Sequence, residues 1–374
     1  MTGLDQFASG KLAEAEARSL FRALAGTPAN ALNFCSNDYL ALSADERLVR
    51  AAASAAERFG VGAGASRLVT GNHPLYAELE SRIAVLKGTE SALVFGAGYL
   101  ANLGTIPALA GEGDLIVADE LSHACMMSGA KLSGARTLLF RHNDVEHLEL
   151  LLKGSRTQAR NCLVMTEGVF SMDGDRAPLA DIANVTRKYD AWLMTDDAHG
   201  FGVLGEGRGS AHAAGVRPDV QMGTLSKAVG SYGGYVAGSR SLVSLLVNRA
   251  RSVIYSTGLP PSVVGASIAG LDVISGDAKL CARPVENAAL FCKALNLPRP
   301  ESAIVPLVLG ESDAAVRAAQ LLEREGFIVR AIRPPTVPDG TARLRVTFTA
   351  GNKNEDILRL AATVREFAFP LMSV

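Results

Sequence analysis

Cysteine is scarce and irregularly placed. The 374-residue chain has five (Cys35, Cys125, Cys162, Cys281 and Cys292), an odd number with no C-x-x-C pair. That pattern argues against a disulfide framework or a zinc ribbon, and the expected compartment is the reducing cytoplasm. Charge of one sign is missing too: 37 Lys and Arg stand against 38 Asp and Glu. No general attraction to nucleic acid or anionic lipid follows from such a balance, and neither is an expected partner. Long apolar runs are absent. The most apolar stretch, Ser91 to Ala110, is broken by Gly96, Gly98, Asn102, Gly104 and Pro107, which makes it a poor membrane span. The N-terminal segment lacks the apolar core of a signal peptide and reads as an amphipathic helix. None of the six histidines has H-E-x-x-H spacing, so no metal is expected.

Glycine, by contrast, is plentiful, at 37 of 374 residues against a usual ~7%. Many glycines close short apolar runs, the punctuation of strands joined to helices. Strands are predicted at Ala92–Phe95, Leu115–Ala118, Thr137–Phe140, Cys162–Thr166, Ala191–Thr195, Val220–Met222 and Gly234–Ala237. Helical patterns fall at Leu75–Leu86, Tyr99–Ala108, Ser122–Ala130, Val145–Leu152 and Pro178–Tyr189, with Ser122 and Asn143 as N-caps of the third and fourth. This alternation predicts an α/β fold, a mostly parallel sheet covered on both faces, with ligands at the carboxyl ends of its strands. After Pro260 the pattern changes. Helices at Ser262–Ile274, Val285–Leu295, Asp313–Glu325 and Asn354–Phe367 and strands at Ile304–Val308, Ile328–Ala331 and Arg343–Thr347 describe a smaller α/β domain. The expected division is an N-terminal helix and arm (1–42), a large domain (43–260) and a small C-terminal domain (261–374).

Three segments carry candidate chemistry. Gly96-Ala97-Gly98-Tyr99-Leu100-Ala101 follows a strand and opens a helix. Its glycines let backbone N–H groups approach an anion, and the helix N-terminus adds positive partial charge, so the segment reads as a phosphate cradle. As G-x-G-x-x-A, with Asp119 about 20 residues on, it also fits an NAD(P)-dependent oxidoreductase. Thr195-Asp196-Asp197-Ala198-His199-Gly200 ends another strand, where two carboxylates and an imidazole are costly unless solvated, paired or used. Successive strand residues face opposite sides, so the two aspartates are expected to do different jobs, with Asp196 and His199 placed to converge on one ligand. The third segment runs from Thr224 through Ser226 and Lys227 to Gly234. Lysine is the rarer cation here, nine against 28 arginines; one set among small and hydroxyl residues points to a role that needs a neutral amine, such as imine formation. The plainer readings are a packing turn, a capping aspartate and a solvated surface lysine.

In this order the three segments resemble the fold-type I family of pyridoxal 5'-phosphate (PLP) enzymes, and within it the α-oxoamine synthases, over nearly the whole chain. Ser36-Asn37-Asp38-Tyr39-Leu40, Ser66-Arg67-Leu68-Val69-Thr70-Gly71, Glu167 through Asp175, and Tyr255 through Pro261 match further motifs of that family. In the tail, Ala331 to Pro338 and Gly340 to Arg345 are similar to the branch that condenses L-alanine with a pimeloyl thioester. Ser226, Tyr255 and Phe348 depart from common choices, which bears on the acyl pocket more than on the cofactor.

The resemblance implies a large PLP-binding domain with a seven-stranded sheet, and a role for each matching residue. Lys227 would hold PLP covalently and act as the base at the substrate Cα. Asp196 would pair with the pyridine nitrogen and His199 with the phenolic oxygen, and His123 would stack on the ring and steer the acyl carbonyl. Gly98 and Tyr99 would carry the phosphate with help from Thr224 and Ser226. Ser256 and Thr257 would reach the cofactor of a neighbouring subunit, which implies a symmetric homodimer. A substrate carboxylate needs arginine's fork of donors; Arg345 is matched to it, with Asn37 and Ser171 beside it and Arg333 and Thr336 as further substrate contacts. Arg343 is expected to be structural or on the surface, and Arg18 or Arg22 is matched loosely to the distal acyl end. The implied partners are L-alanine and a pimeloyl thioester carried on CoA or acyl-carrier protein; the nearest alternative is a branch that joins glycine to acetyl-CoA.

Overall fold

The computed structural model of the chain describes every residue except 1, 18, 19, 22, 23, 25, 27–30 and 372–374. Helix α1 (Gly3–Ala17) precedes a two-residue strand β1 (Leu32–Asn33) and two helices, α2 (Glu46–Phe59) and α3 (Leu75–Lys87). Strand and helix then alternate through β2 (Ser91–Phe95), α4 (Gly98–Leu109), β3 (Leu115–Asp119), α5 (Ala124–Ser133), β4 (Arg136–Phe140) and α6 (Val145–Ser155). The series continues with β5 (Cys162–Glu167), α7 (Leu179–Lys188), β6 (Trp192–Asp196), α8 (Ser210–Ala213), β7 (Val220–Thr224) and β8 (Gly234–Gly238). Helices α9 (Arg240–Arg249), α10 (Arg251–Ile254), α11 (Pro261–Gly276) and α12 (Ala278–Leu295) lead into the second unit. That unit holds β9 (Ile304–Gly310), α13 (Ser312–Arg324), β10 (Phe327–Ile328), β11 (Arg330–Ile332), β12 (Ala342–Thr347) and α14 (Asn354–Phe367).

All seven strands predicted for the large unit form one sheet, in the order β2-β8-β7-β6-β5-β3-β4. Only β8 runs against its neighbours; every other pair is parallel. The carboxyl ends of β2, β3, β5, β6 and β7 therefore share one edge. The residues that follow them, beginning at Gly96, Glu120, Gly168, Asp197 and Leu225, are gathered there by topology alone. Strands β3, β5 and β7 are buried on both faces, which explains their nearly continuous apolar character. Helices α2, α3 and α11 cover one face, where Leu48, Leu79, Ile83, Val264 and Leu271 share a core. Helices α4, α5 and α9 pack around Phe95, Ile116, Met126 and Met194 on the other.

The small unit has its own core, built on Phe291, Leu307, Leu344, Phe348 and Leu360. Strand β1 joins it by pairing in parallel with β10, and Phe34 packs edge-on against Phe348. Because α11 packs into the large core, we propose that the division falls at α12 rather than at 260/261. Among the described residues no helix is long and apolar enough to cross a membrane.

Some local expectations fail for identifiable reasons. The N-cap of α5 is His123, whose side chain accepts from the Cys125 N–H, not Ser122. Asp144 caps α6, not Asn143, which takes a left-handed φ of 55° in the turn before it. Helix α2 was not anticipated, although its inward face of alanines and Leu48 lies opposite a charged one. Helix α1 was expected to be amphipathic, yet it buries nothing within the chain; Leu4, Phe7 and Leu12 are exposed.

One polar contact ties these layers together. Lys87, at the end of α3, places Nζ 3.0 Å from Asp197 Oδ2 and 2.8 Å from the Arg208 carbonyl, and both charged side chains are 1% exposed. Removing one member of such a pair strands the other charge in the interior. Lys87→Met should lower the unfolding free energy by about 3–5 kcal/mol in urea titration; a loss below 1 kcal/mol would show that the pair is dispensable.

Candidate active site

The turn after β6 gives its two aspartates opposite surroundings. Asp197 faces Lys87 and accepts the Ser210 N–H, and so serves the scaffold. Asp196 looks into the site. Its Oδ1 accepts from the Ala198 N–H at 3.0 Å and its Oδ2 from Asn102 Nδ2 at 2.8 Å, which fixes the plane of the carboxylate.

Lys227 lies in the loop after β7, with Nζ 2.8 Å from His199 Nε2. Burial pushes the amine down, Asp196 and Glu167 pull it back, and Arg345 opposes them; the result is a pKa of about 8. His199 is held well below the usual imidazole range, first by burial and then by the charges of Lys227, Arg345 and His123. Its Nδ1 is 2.6 Å from the Tyr39 hydroxyl. His123 donates its backbone N–H to Glu167 Oε1 at 2.7 Å, and its Nδ1 caps α5, 2.9 Å from Cys125 Sγ. Burial lowers the His123 pKa, with Lys227 adding to the effect and Asp196 working against it. Burial and the nearby Asp196 raise Glu167 well above an ordinary carboxylate.

Gly98 and Tyr99 open α4, whose cap residue Ala97 supplies no side-chain acceptor. The first-turn N–H groups are therefore without intrahelical partners. A Cβ on Gly98 would lie a tight 3.3 Å from Thr224 Cβ, and one on Gly234 would lie 2.6 Å from Gly98 N, where only glycine fits, so the two loops interlock. The Thr224 and Ser226 hydroxyls both donate to the Gly233 carbonyl, at 2.8 and 3.2 Å, at the rim of this cradle. Ser256 and Thr257 stand apart from Lys227, beside Gly96 and Arg67, and Thr257 bridges to Ser66.

A cleft of about 1000 Å³ opens over His123, walled by Phe170, Ser171 and Met172 on one side and by the Pro334–Pro338 turn with Thr336 on the other. Arg345, on β12, is buried; its Nε donates to the Ser171 carbonyl and its Nη1 to Asn37 Oδ1 at 3.1 Å. Arg343 is buried too, paired with Asp173. Two positions apart on a strand, the arginines share a face, so Arg343 is no surface residue. Arg333 lies just beyond β11, where its carbonyl accepts the Thr336 N–H. Arg18 and Arg22 lie outside the described residues.

The dinucleotide alternative fares poorly. Asp119 is fully buried, and its oxygens are taken by the N–H groups of Leu121 and Asn143 and by His142 Nδ1. Three of its roughly four lone-pair sites are thus used, and the buried group is closed to a ribose hydroxyl. His142 also meets Asp175 at 2.7 Å, clamping the loop that carries Phe170 to the end of β3. Tyr39, Glu167 and Asn102 were missed as site residues. The first two sit inside quoted motifs, and the only signal for Asn102 is an amide in an otherwise apolar helix.

The model of the aminotransferase class I and II family matches residues 29–364; the chain belongs to this family, and its architecture is that of the fold-type I PLP transferases. It is 55% identical, over 90% of its own length and 96% of the other's, to the 8-amino-7-oxononanoate synthase of Methylocella silvestris. Among solved structures, serine palmitoyltransferase from S. paucimobilis with a bound PLP–myriocin adduct superposes with TM-score 0.90 at 28% identity, covering 98% of this chain and 99% of that one. The 8-amino-7-oxononanoate synthase of Francisella tularensis gives 0.78 at 26%, covering 91% and 98%.

The donor set fits PLP. A buried amine suits its aldehyde, a buried carboxylate its ring nitrogen, and a helix N-terminus with glycine backbone its phosphate.

The His142 clamp has a definite pH signature. Burial pulls its pKa down, but the hydrogen bonds and charges of Asp119 and Asp175 outweigh this and raise it to about 10. A raised pKa on a base means stability that is complete below about 6.5 and gone above the folded-state value. In urea titrations, wild type should exceed His142→Gln by most at pH 6, with the gap narrowing steadily toward pH 10; a gap independent of pH would refute the charged clamp.

Proposed function

We propose that this chain is a PLP-dependent acyltransferase that condenses L-alanine with a pimeloyl thioester, carried on CoA or acyl-carrier protein. It releases CO2 and the free thiol and yields 8-amino-7-oxononanoate, a step of biotin biosynthesis. The observation that carries the PLP reading is the Lys227 amine held against His199, on the sheet edge that also holds Asp196. The particular reaction is supported by the relatives' common name and by the cleft above His123.

When bound, PLP supplies an aldehyde for the substrate amine and a ring that accepts negative charge from Cα. Asp196, its carboxylate held by Ala198 and Asn102, keeps a proton on the ring nitrogen. His199 would hold the phenolic oxygen, and His123 would cover the ring. The amides of Gly98 and Tyr99, with Thr224 and Ser226, carry the phosphate. Lys227 would anchor the cofactor and, as a free amine, remove the proton from the alanine Cα with Nζ; a pKa near 8 leaves a useful fraction of neutral amine close to neutral pH.

The alanine carboxylate is taken by Arg345, Asn37 and Ser171, and the acyl chain lies in the cleft near Thr336 and Arg333. Ser256 and Thr257 face the cofactor of a second copy in a homodimer, and the enzyme works in the cytoplasm. Holding the alanine Cα–H bond, and later the bond to the carboxylate, in the orientation each step needs would be the protein's main contribution; such positioning lowers barriers by up to roughly 7–11 kcal/mol.

The test is a panel of alanine, glycine and serine against pimeloyl, acetyl, succinyl and palmitoyl thioesters. Alanine with the pimeloyl thioester should give the highest kcat/KM, and a preference for glycine with acetyl-CoA would overturn the assignment. A second measurement concerns the lysine. The rate at which the apo-protein acquires its visible absorbance on mixing with PLP should rise through a midpoint near pH 8. A midpoint near 10.5, the ordinary lysine value, would mean the amine is not activated.

A further inference from the structure

Tyr39 is fully buried, and its hydroxyl is placed between the two halves of the candidate site. On one side it meets His199 Nδ1 at 2.6 Å, and the other ring nitrogen of that histidine meets Lys227 Nζ at 2.8 Å. On the other side it donates to Asn37 Oδ1 at 3.3 Å and receives Arg345 Nη2 at 3.5 Å, while Arg345 Nη1 donates to the same Asn37 oxygen at 3.1 Å. An unbroken chain of polar contacts thus runs from the lysine amine to the arginine fork, and one phenolic oxygen links the imidazole to the guanidinium.

The polarity of the chain is consistent. A hydroxyl has one proton to give. If it goes to Asn37, the tyrosine oxygen accepts from His199 Nδ1–H, and His199 Nε2 is then the acceptor that faces Lys227. If it goes instead to His199 Nδ1, the Nε2 proton points at the amine and Asn37 Oδ1 relies on Arg345 alone. Either setting fixes the tautomer of His199 and the occupancy of Asn37 together. The ring itself packs in the core and edge-on to His199, 5.9 Å between centroids, so phenylalanine would fill its volume.

We propose that Tyr39 is a positioning residue that couples capture of the amino-acid carboxylate at Arg345 and Asn37 to proton transfer at Lys227 through His199. The inference rests on the reading of the site as a PLP enzyme acting on an amino acid. A carboxylate arriving at Arg345 draws that guanidinium and Asn37 toward itself, and the hydroxyl transmits the change to the histidine beside the base. A buried tyrosine serving only to fill space would have no such two-ended effect.

The test uses holoenzyme of wild type and Tyr39→Phe, with folding checked by thermal melting. Binding of L-alanine without thioester is followed through the visible absorbance band. Exchange of its Cα proton in deuterated buffer at saturating alanine is followed by NMR. Loss of one hydrogen bond to a charged site should weaken alanine binding about tenfold and slow saturated exchange about tenfold, while KM for the pimeloyl thioester stays within twofold.

A change confined to one end, or a uniform loss that includes the thioester, overturns the coupling. Asn37→Ala and the double variant close a cycle: the two substitutions should be markedly less than additive in alanine binding, and strict additivity overturns the proposal even if Tyr39→Phe melts early. Failure of the wild-type holoenzyme to bind alanine would instead remove the functional reading on which the coupling stands.

Discussion

The site depends on keeping one lysine amine out of water without letting it become inert. Burial alone would drive the Lys227 pKa far down, because an ammonium loses its hydration in the interior. Asp196 and Glu167 restore part of the charge, and Arg345 limits how much. The outcome near 8 is a compromise among four groups on four different segments. The parallel sheet brings the first three together by ending β5, β6 and β7 on one edge; Arg345 arrives from the small unit. A displacement of any of these segments would move the amine off its working range before it disturbed the fold.

That dependence makes the junction of the two units part of the chemistry. Arg343 and Arg345 project from the same face of β12, and both grip the loop at Ser171 and Asp173 that follows β5. The same loop is pinned from the other side, through Asp175, to the His142 clamp. Ser302 adds a hydrogen bond to the Gly174 carbonyl at 2.7 Å. The cleft wall formed by Phe170, Ser171 and Met172 is therefore set by both units, and the end of the site built on Arg345 cannot form from the large unit alone.

Most of the architecture was legible in the sequence because it rests on local signals. Short apolar runs, several of them closed by glycine, located all seven strands of the main sheet to within a residue or two. What escaped is of a different kind. The caps of α5 and α6 were each placed one residue early, since neighbouring polar residues compete for the same role and only backbone geometry decides between them. Within the candidate site, Lys227, Asp196 and His199 stood out by type and place. Tyr39 and Asn102 did not, because a buried tyrosine or asparagine has no sequence signature until its partners, drawn from distant segments, are known.

The pair Asp196-Asp197 shows why such motifs read as more functional than they are. A carboxylate as deeply buried as Asp197 needs room as well as partners, and three glycines provide it. A Cβ on Gly168 would come within 2.7 Å of Asp197 Oδ1, one on Gly200 within 2.2 Å of the same atom, and one on Gly209 within 1.8 Å of Oδ2. Gly168 belongs to the loop after β5 and Gly200 to the turn containing His199, so both fall inside segments that seem to speak only of catalysis. Their constraint comes from the scaffold: they let Asp197 reach Lys87 and so fix the end of β6. Asp196, the next residue back, faces the opposite way and inherits that fixed position. The reactive side of the strand is held still by the packing of its inert side, and the two are written into the same six residues.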